Sequence, residues 1–291
     1  WRGYLNHRTF GSDERPSLSY QLYYATMPHS ASVKSSQLVF TALTGLPLIR
    51  AGDDLVALIL GECSAAGEKL CDGDILVLAQ KIVSKAEGRV VDLASVTPSA
   101  AALELAQSSN KDPRLVEVIL TESNEVIRQR EGALIVENRL GVVLANAGVD
   151  MSNVDQDGGD AVLLLPEDPD RSCALLREGI KQRAEVDVGV MINDSLGRAF
   201  RNGTAGAALG VAGVPTLVDL SGTPDLFGRP LRVTQVAIAD ELAAAASLLM
   251  GQANEGRPVV LVRGFHCHAA PGKGQDLIRV KEQDLFREPT Q

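Results

Sequence analysis

Short, continuous apolar runs bounded by turn residues are the feature that most constrains how this chain can fold. I-L-V-L-A at residues 75–79, V-G-V-M-I at 188–192 and V-V-L-V at 259–262 have the composition of strands that are buried on both faces. Helix-like segments lie between these runs, but without the regular alternation of a βαβ protein. The pattern therefore predicts an α+β fold with a mixed β-sheet and flanking helices.

Capping and turn residues divide the chain into further elements. Periodicity predicts helices at residues 100–110, 113–130 and 238–250, and a fourth from E-D-P-D-R-S to about Ala184. Asp53 is expected to be the N-cap of a helix formed by L-V-A-L-I-L-G-E-C. A-L-I-V-E-N and L-G-V-V-L-A-N predict two strands around a short turn. Residues 197–214 are rich in Gly and Ala and carry few helix signals.

The apolar content and its distribution indicate which part of the chain folds into a domain. Hydrophobic residues make up 45% of the 291 residues, enough for a substantial core. Residues 1–36 are polar and lack apolar periodicity, so we expect a poorly ordered N-terminal extension. The remaining residues, 37–291, are expected to form the functional domain.

The charge and the sparse histidines exclude several classes of function. A net charge of −9 argues against non-specific binding to nucleic acid or to anionic membranes, and no apolar run approaches the roughly 20 residues of a membrane span. Four cysteines without a C-x-x-C pair indicate free thiols in a reducing, cytoplasmic protein. All four histidines lie near the chain ends, which argues against a His-based triad or a three-His zinc site in the core.

Two apolar runs end in clusters of oxygen-bearing side chains. Asp150 follows V-V-L-A and is flanked by Asn146 and Asn153, whereas Asp194 and Ser195 follow V-M-I. Carboxylates with hydroxyl or amide neighbours are typical of Mg²⁺ or Mn²⁺ sites that are completed by substrate phosphates. A pair of Asx-turn caps is the structural alternative.

Basic residues gather where an acidic protein could bind an anion. Q-K-I-V-S-K-A-E-G-R at residues 80–89 places Lys81, Lys85 and Arg89 among small residues, and a solvated turn is the alternative interpretation. Arg198 follows Asp194 and is a candidate clamp for an anionic substrate. Glycines at 203, 206 and 210 permit close backbone approach, but the P-loop pattern is absent.

The ordered set of motifs closely resembles the coenzyme F420:L-glutamate ligase family, the gamma-glutamyl ligases. The resemblance rests on G-L-P-L-I-R, D-G-D-I-L-V-L-A-Q-K-I-V-S-K-A-E-G-R, A-N-A-G-V-D, L-P-E-D-P-D, N-D-S-x-G-R-x-F-R, D-x-F-G-R-x-L and P-V-V-L-V-R-G, from about residue 39 to 264. It implies a mixed α+β fold specific to the family and a homodimer. It also implies GTP-dependent joining of L-glutamate to F420-0, with possible further gamma-linked glutamates, through an acyl phosphate.

The resemblance further implies a set of site residues. One metal would be held by Asp150 and Asp194, and a second would be faced by Ser195 and Gln252. Lys85, Asp150, Asp194 and Arg198 would be catalytic. GTP would contact Gly45, Leu46, Pro47, Leu48, Gln80, Lys85, Asn153, Gly251, Gln252, Glu255 and Gly256.

The implied cofactors are Mg²⁺ or Mn²⁺, two ions per site, with a monovalent cation such as K⁺ as a further one. N-D-S stands where the family more often has S-D-T, but the carboxylate and hydroxyl are both kept. Two alternatives stay open: a ligase for a different carboxylate acceptor, and a nucleotide-binding protein that has lost turnover.

Overall fold

A five-stranded mixed sheet lies at the centre of the fold. The computed structural model describes residues 37–152 and 160–287. The sheet consists of β1 (Val39–Leu43), β2 (Ile75–Ala79), β8 (Gly189–Arg198), β9 (Arg201–Ala212) and β12 (Val259–Arg263), in the order β1-β12-β2-β8-β9. Only β2 and β8 are parallel neighbours, and the other three pairs are antiparallel. The predicted α+β class with a mixed sheet is therefore confirmed.

Apolar side chains cover both faces of this sheet because successive strand residues point in opposite directions. Leu76 and Leu78 face a core built with α1 (Leu55–Ala65) and α5 (Pro169–Ala184). Ile75 and Val77 face a second core, built with α6 (Ile238–Met250). The strands are buried on both sides, as their continuous apolar composition predicts.

A third core lies among the smaller elements. They are β3 (Val90–Asp92), α3 (Ala100–Ser109), α4 (Pro113–Thr121), β4 (Ser123–Arg130), β5 (Ala133–Asn138), β6 (Val143–Ala145) and β7 (Ala161–Leu163). The strands β4, β5 and β6 form an antiparallel sheet, which confirms the predicted pairing of β5 with β6, and β3 pairs with β7. Leu93, Ile119 and Val162 are among the buried residues of this core.

Several local predictions are wrong. The helix predicted over 113–130 ends at Thr121, since the exposed strand β4 follows. Asp54, not Asp53, is the N-cap of α1 and accepts a hydrogen bond from the Ala57 N–H at 3.1 Å. By contrast, residues 197–214 contain no helix, in agreement with their few helix signals, and they form most of a long β8–β9 hairpin, because their small side chains allow close packing. The basic stretch 80–89, for which a solvated turn was the alternative interpretation, begins as a helix, α2 (Gln80–Ala86).

Residues 219–234 belong to a compact unit distinct from the one formed by 37–218 and 235–287. The short strand β10 (Val218–Asp219) runs into the start of this segment, and the short strand β11 (Gln235–Val236) follows it in the chain. Within it the Gly222 N–H donates to the Leu231 carbonyl at 2.8 Å and the Asp225 N–H donates to the Arg229 carbonyl at 2.8 Å. The N-terminal extension predicted over 1–36 lies outside the described residues.

Two further observations concern predictions made from composition. All four cysteines are free, as the absence of paired spacing predicts. Among the residues that the structure places, no helix has both the length and the apolar character needed to cross a bilayer.

Candidate functional site

The candidate site lies where the parallel pairing of β2 with β8 ends, at the carboxyl end of β2 and in the middle of β8. Ala79 at the end of β2 is in register with Asn193, so the first residues of α2 begin beside Asp194. β8 continues past this point and pairs only with β9, with Asp194 opposite Ala207. Asp194 is therefore inside a hairpin strand, not at a strand end as predicted. The carboxyl ends of parallel strands are where α/β sheets commonly bind ligands.

A strained turn places Asp150 near the same edge of the sheet. Asn146, Ala147 and Gly148 have φ values of 54°, 57° and 76°, in the left-handed region. A Cβ on Gly148 would lie 2.7 Å from Leu165 Cδ1, so the turn requires glycine there. Asp150 is then fixed by two backbone hydrogen bonds with Leu163, of 3.0 and 2.8 Å.

Lys81 on α2 is the main partner of Asp150. Lys81 Nζ lies 2.7 Å from Asp150 Oδ2 and also donates to Ser152 Oγ at 2.6 Å. The Ser152 N–H donates to Asp150 Oδ1 at 2.7 Å. Burial tends to raise the pKa of Asp150, but the hydrogen bonds from Lys81 and Ser152 outweigh it and hold that pKa below its ordinary value.

The second predicted metal ligand, Asp194, has the opposite electrostatic environment. Burial raises the pKa of the Asp194 carboxyl, and the negative charge of Asp150 raises it further. The Ser195 N–H and the positive charge of Lys81 act in the other direction. Because the charges of Lys81 and Asp150 both act on Asp194, the three groups form one electrostatic cluster.

Ser195 and Gln252 meet, as the resemblance implies. The Ser195 hydroxyl donates to Gln252 Oε1 at 2.7 Å, and Gln252 Nε2 donates to Ser247 Oγ at 3.0 Å. Ser247 is buried on α6, so it orients the amide of Gln252 from the helix. The buried Asn193 Oδ1, in the strand beside them, has no hydrogen-bond partner among the described protein atoms. Sequence reasoning did not identify Ser247, which looks like an ordinary residue of an Ala-rich helix.

The expected nucleotide-binding segments are a turn and a loop. The Gly45 N–H donates to Glu62 Oε1 at 2.8 Å, and a Cβ on Gly45 would lie 2.2 Å from the other carboxylate oxygen. Next to it Leu46 packs on the first core, Pro47 is exposed and Leu48 is 87% exposed. In the loop after α6, Gly251 and Gly256 have positive φ, and Glu255 accepts from the Ala253 N–H at 2.8 Å.

The other predicted residues differ in their position and in their hydrogen-bond partners. Gln80 is buried on α2 and accepts from the Ser84 hydroxyl at 2.9 Å, and Lys85 is half-buried in the last turn of that helix. Arg198 is exposed near the hairpin tip, where it donates to the Asn202 carbonyl at 3.3 Å. Asn153 lies outside the described residues.

The basic cluster predicted to bind an anion is divided in the structure. Arg89 donates to the Leu165 carbonyl at 3.0 Å and forms a 2.9 Å ion pair with Glu122, so it has a structural role. Lys81 pairs with Asp150 instead of standing free for an anion. Lys81 and Arg89 thus have separate acidic partners, and the anion-binding role of this cluster stays a prediction.

The donor atoms present fit a hard divalent cation. Asp150, Asp194, Ser195 and Gln252 offer only oxygen donors, the preferred ligands of Mg²⁺ and Mn²⁺. The ammonium of Lys81 already acts as a cation beside Asp150. Within residues 37–152 and 160–287 no three His, Cys, Asp or Glu side chains form a metal-binding cluster, so a cation here would need further ligands from substrate or water.

A cavity of about 580 Å³ lies at the opposite ends of the same strands. Ile75 and Gly189, the first residues of β2 and β8, line it together with Phe265 and His266. It is thus separated from Asp194 by the length of the strands. The candidate site is defined by its side-chain chemistry and not by the volume of a cavity.

Comparison with known proteins identifies the family. Residues 45–264 match the family described as F420-0:gamma-glutamyl ligase. The chain belongs to this family. The match begins at the Gly45 turn and ends just after β12, so it spans every predicted site residue of this F420-0:gamma-glutamyl ligase family member.

Three curated relatives of the family member are each named coenzyme F420:L-glutamate ligase. The Methanothermobacter thermautotrophicus protein is 48% identical over 246 residues, which cover 84% of this chain and 96% of the relative. The Methanocaldococcus jannaschii protein is 47% identical, covering 74% of this chain and 85% of the relative. The Methanopyrus kandleri protein is 46% identical, covering 82% and 93%.

Proposed function

We propose that this protein joins L-glutamate to F420-0 in a GTP-dependent reaction and can add further glutamates in gamma linkage. The observation that carries the proposal is the contact of Ser195 with Gln252 next to Asp194, on which the charges of Lys81 and Asp150 act, in a chain of this family. Nearly half of the aligned residues are identical to relatives that are named for ligation of glutamate. The substrates are small molecules, and we place the reaction in the cytoplasm of the cell, in a homodimer.

The chemistry requires activation of a carboxylate. The γ-phosphoryl group of GTP passes to the terminal carboxylate of F420-0, which gives an acyl phosphate and GDP. The amine of glutamate then attacks the acyl carbon, the C–N bond forms, the C–O bond to phosphate breaks, and the amine loses a proton. The task of the protein is to position these groups and to offset their negative charge.

Residues of the site divide this task. Asp150 and Asp194 would hold one divalent cation, and Ser195 and Gln252 would hold a second. Bound Mg²⁺ or Mn²⁺, with K⁺ as a further cofactor, supplies positive charge to the phosphate oxygens. Lys85 and Arg198 add positive charge from the protein.

The nucleotide contacts the Gly45–Leu48 turn, Gln80 and the loop with Gly251, Glu255 and Gly256, and the family resemblance adds Asn153 to these contacts. Glycines in the turn and in the loop leave room for close approach of a ligand to the backbone. Leu48 is exposed and able to cover an aromatic base.

The decisive experiment is to incubate the protein with F420-0, GTP, Mn²⁺ and glutamate and to measure product masses. We expect mono- and poly-glutamylated F420, and no product from Asp194→Asn. Product formation only with another carboxylate acceptor would indicate a ligase of different specificity. Absence of any product with a folded, GTP-binding protein would indicate a nucleotide-binding protein without turnover.

A further inference from the structure

The ammonium group of Lys81 contacts the carboxylate of Asp150, which is also expected to bind a metal ion. Lys81 Nζ is 2.7 Å from Asp150 Oδ2, 2.6 Å from Ser152 Oγ and 3.2 Å from the Ser152 carbonyl oxygen. Its charge also acts on Asp194. The ammonium is therefore surrounded by oxygen atoms, as a bound cation is.

Lys81 and a divalent ion compete for the same carboxylate. An ammonium at 2.7 Å occupies a lone pair of Asp150 Oδ2, and a divalent ion bound to that carboxylate would repel a unit positive charge only a few ångströms away. Because Asp150 and Asp194 carry at most two negative charges between them, they do not neutralise both cations. Binding of one cation thus opposes binding of the other.

We propose that Lys81 is an internal counter-cation of Asp150 and that it leaves this carboxylate when a divalent metal ion binds. In the metal-free protein Lys81 keeps the two acidic groups from repelling each other. Metal binding then releases its ammonium within reach of the site. The proposal rests on the proposed function only in that it takes Asp150 to be a metal ligand.

Lys81 has the properties that such an exchange requires. Its side chain is 26% exposed, so the ammonium has a path to solvent. A lysine has a flexible four-carbon stem and makes single-point contacts, whereas an arginine would form a planar, two-point pair that is harder to break. The backbone of α2 is fixed at the end of β2, so only the side chain needs to move.

Chemical labelling of lysines tests the release directly. The full-length protein is treated with acetic anhydride with and without Mn²⁺, in the absence of nucleotide, and the labelling rate of each lysine is measured by mass spectrometry. We expect Mn²⁺ to raise the rate at Lys81 several-fold. Lys281, which pairs with Glu137 at 3.0 Å and with Glu125 at 3.3 Å, serves as an internal control whose rate stays constant.

Metal affinity of matched variants tests the competition. Mn²⁺ binding is measured by electron paramagnetic resonance for the wild type, Lys81→Met, Lys81→Arg and Lys111→Met. We expect Lys81→Met to bind Mn²⁺ about tenfold more tightly, the order of effect for a unit charge a few ångströms from the ion. Lys81→Arg should not bind more tightly than the wild type. Lys111→Met, which makes the same change in net charge on the turn between α3 and α4, should resemble the wild type.

The results of these experiments test the replacement of Lys81 by a metal ion at Asp150 separately from the proposed function. Mn²⁺ binding without faster labelling of Lys81, or with no gain in affinity for Lys81→Met, would overturn the exchange and leave the ligase proposal standing. An equal gain for Lys111→Met would also overturn it, because the effect would then come from net charge. A wild type that binds no Mn²⁺ would overturn the exchange together with the metal site.

Discussion

At the scale of single residues, the ionised carboxylates of Asp150 and Asp194 have opposite effects on the stability of the fold. Hydrogen bonds from Lys81 and Ser152 favour the ionised form of Asp150, while burial disfavours the ionised form of Asp194. A group whose pKa falls on folding stabilises the folded protein above its unfolded pKa, and a group whose pKa rises does the reverse. Asp194 therefore costs stability at neutral pH, which is consistent with retention for function.

The first prediction compares Asp194→Asn with Asp150→Asn. In metal-free buffer at neutral pH, Asp194→Asn should melt at or above the wild-type temperature, because it removes a carboxylate that folding disfavours. Asp150→Asn should melt lower, because it removes the partner of Lys81. Calorimetry measures both, and the benefit of Asp194→Asn should shrink as pH falls and Asp194 takes up its proton in the wild type. Melting shifts of the same sign in both variants would contradict this assignment.

A comparison of the predicted site residues with their structural partners shows how much of the site could be predicted from the sequence. Asp150, Asp194 and Ser195 were candidates because oxygen-bearing side chains follow two apolar runs, whereas Gln252 was named only through the family resemblance. The structure brings Ser195 into contact with Gln252. Lys81 and Arg89 were grouped as anion binders because a basic cluster has the same appearance whether its charges are free or paired. Their partners, Asp150 and Glu122, are about 70 and 33 positions away in the chain, so only the tertiary fold reveals the pairing.

At the scale of elements, close packing between β9 and α6 supports the site. Gly206 of β9 is opposite Ser195, and a Cβ on it would lie 2.5 Å from the Ala243 carbonyl oxygen and 2.7 Å from Asn193 Oδ1. Such contacts with backbone cannot be relieved by a rotamer change. Glycine is thus required where the hairpin passes under the helix that holds Ser247.

The second prediction is that Gly206→Ala costs about 1–3 kcal/mol of unfolding free energy, as overpacking of a core does. Gly197→Ala on the same hairpin is the matched control, because a Cβ there meets nothing within 4 Å. Urea denaturation of both variants measures the difference. Equal stability of the two variants would refute the packing argument.

The third prediction concerns the ion pair that joins β12 to the start of β2. Arg263 donates to both carboxylate oxygens of Asp74, at 2.9 and 2.7 Å, and Asp74 is only 3% exposed. Arg263→Ala leaves a buried carboxylate with the Cys71 N–H as its remaining partner, so we expect a loss of about 3 kcal/mol by urea denaturation.

Arg183→Ala is the control for Arg263→Ala. Arg183 makes a 2.7 Å pair with Asp54, but both side chains are about half exposed. Solvent screens such a pair, so little change in stability is expected. A loss at Arg183 as large as that at Arg263 would show that burial is not the cause.

Elements with strong patterns were predictable, and elements shaped by packing were not. α6 has the predicted bounds because Ala-rich periodicity and Gly251 define it. α2 was missed since it has only seven residues and no side-chain cap. β4 is polar and exposed, and β9 consists largely of Gly and Ala, so neither has the composition of a typical strand. Their partners in the fold stabilise them.

At the scale of the whole molecule, ion pairs join residues 281–287, at the end of the described chain, to a strand of the third core. Arg287 and Lys281 both pair with Glu137, which is 6% exposed on β5. Burial tends to raise the pKa of Glu137, but hydrogen bonds from Lys281, Asn124 and Arg287 outweigh it and lower that pKa. The ionised carboxylate thus fastens residues 281–287 to the β4–β5 sheet.

The fourth prediction follows from the sign of this shift. Glu137 contributes stability above the pKa of an unfolded glutamate, about 4.3, and this contribution is lost as pH falls through its lowered folded value. The unfolding free energy of the wild type should therefore fall more steeply on acidification than that of Glu137→Gln. Urea denaturation at several pH values measures the slopes. Glu125→Gln is the matched control, because Glu125 pairs with the same Lys281 but is half exposed.

The apolar residues close in sequence to Asp150 and Asp194 pack in different hydrophobic cores. Val149, next to Asp150, packs in the third core, whereas Ile192, two residues before Asp194, packs in the first. An ion held by both carboxylates would link two segments that pack in different hydrophobic cores of one compact unit, and transient opening of either segment would break the link. Occupancy of the site should therefore slow amide hydrogen exchange in both cores together.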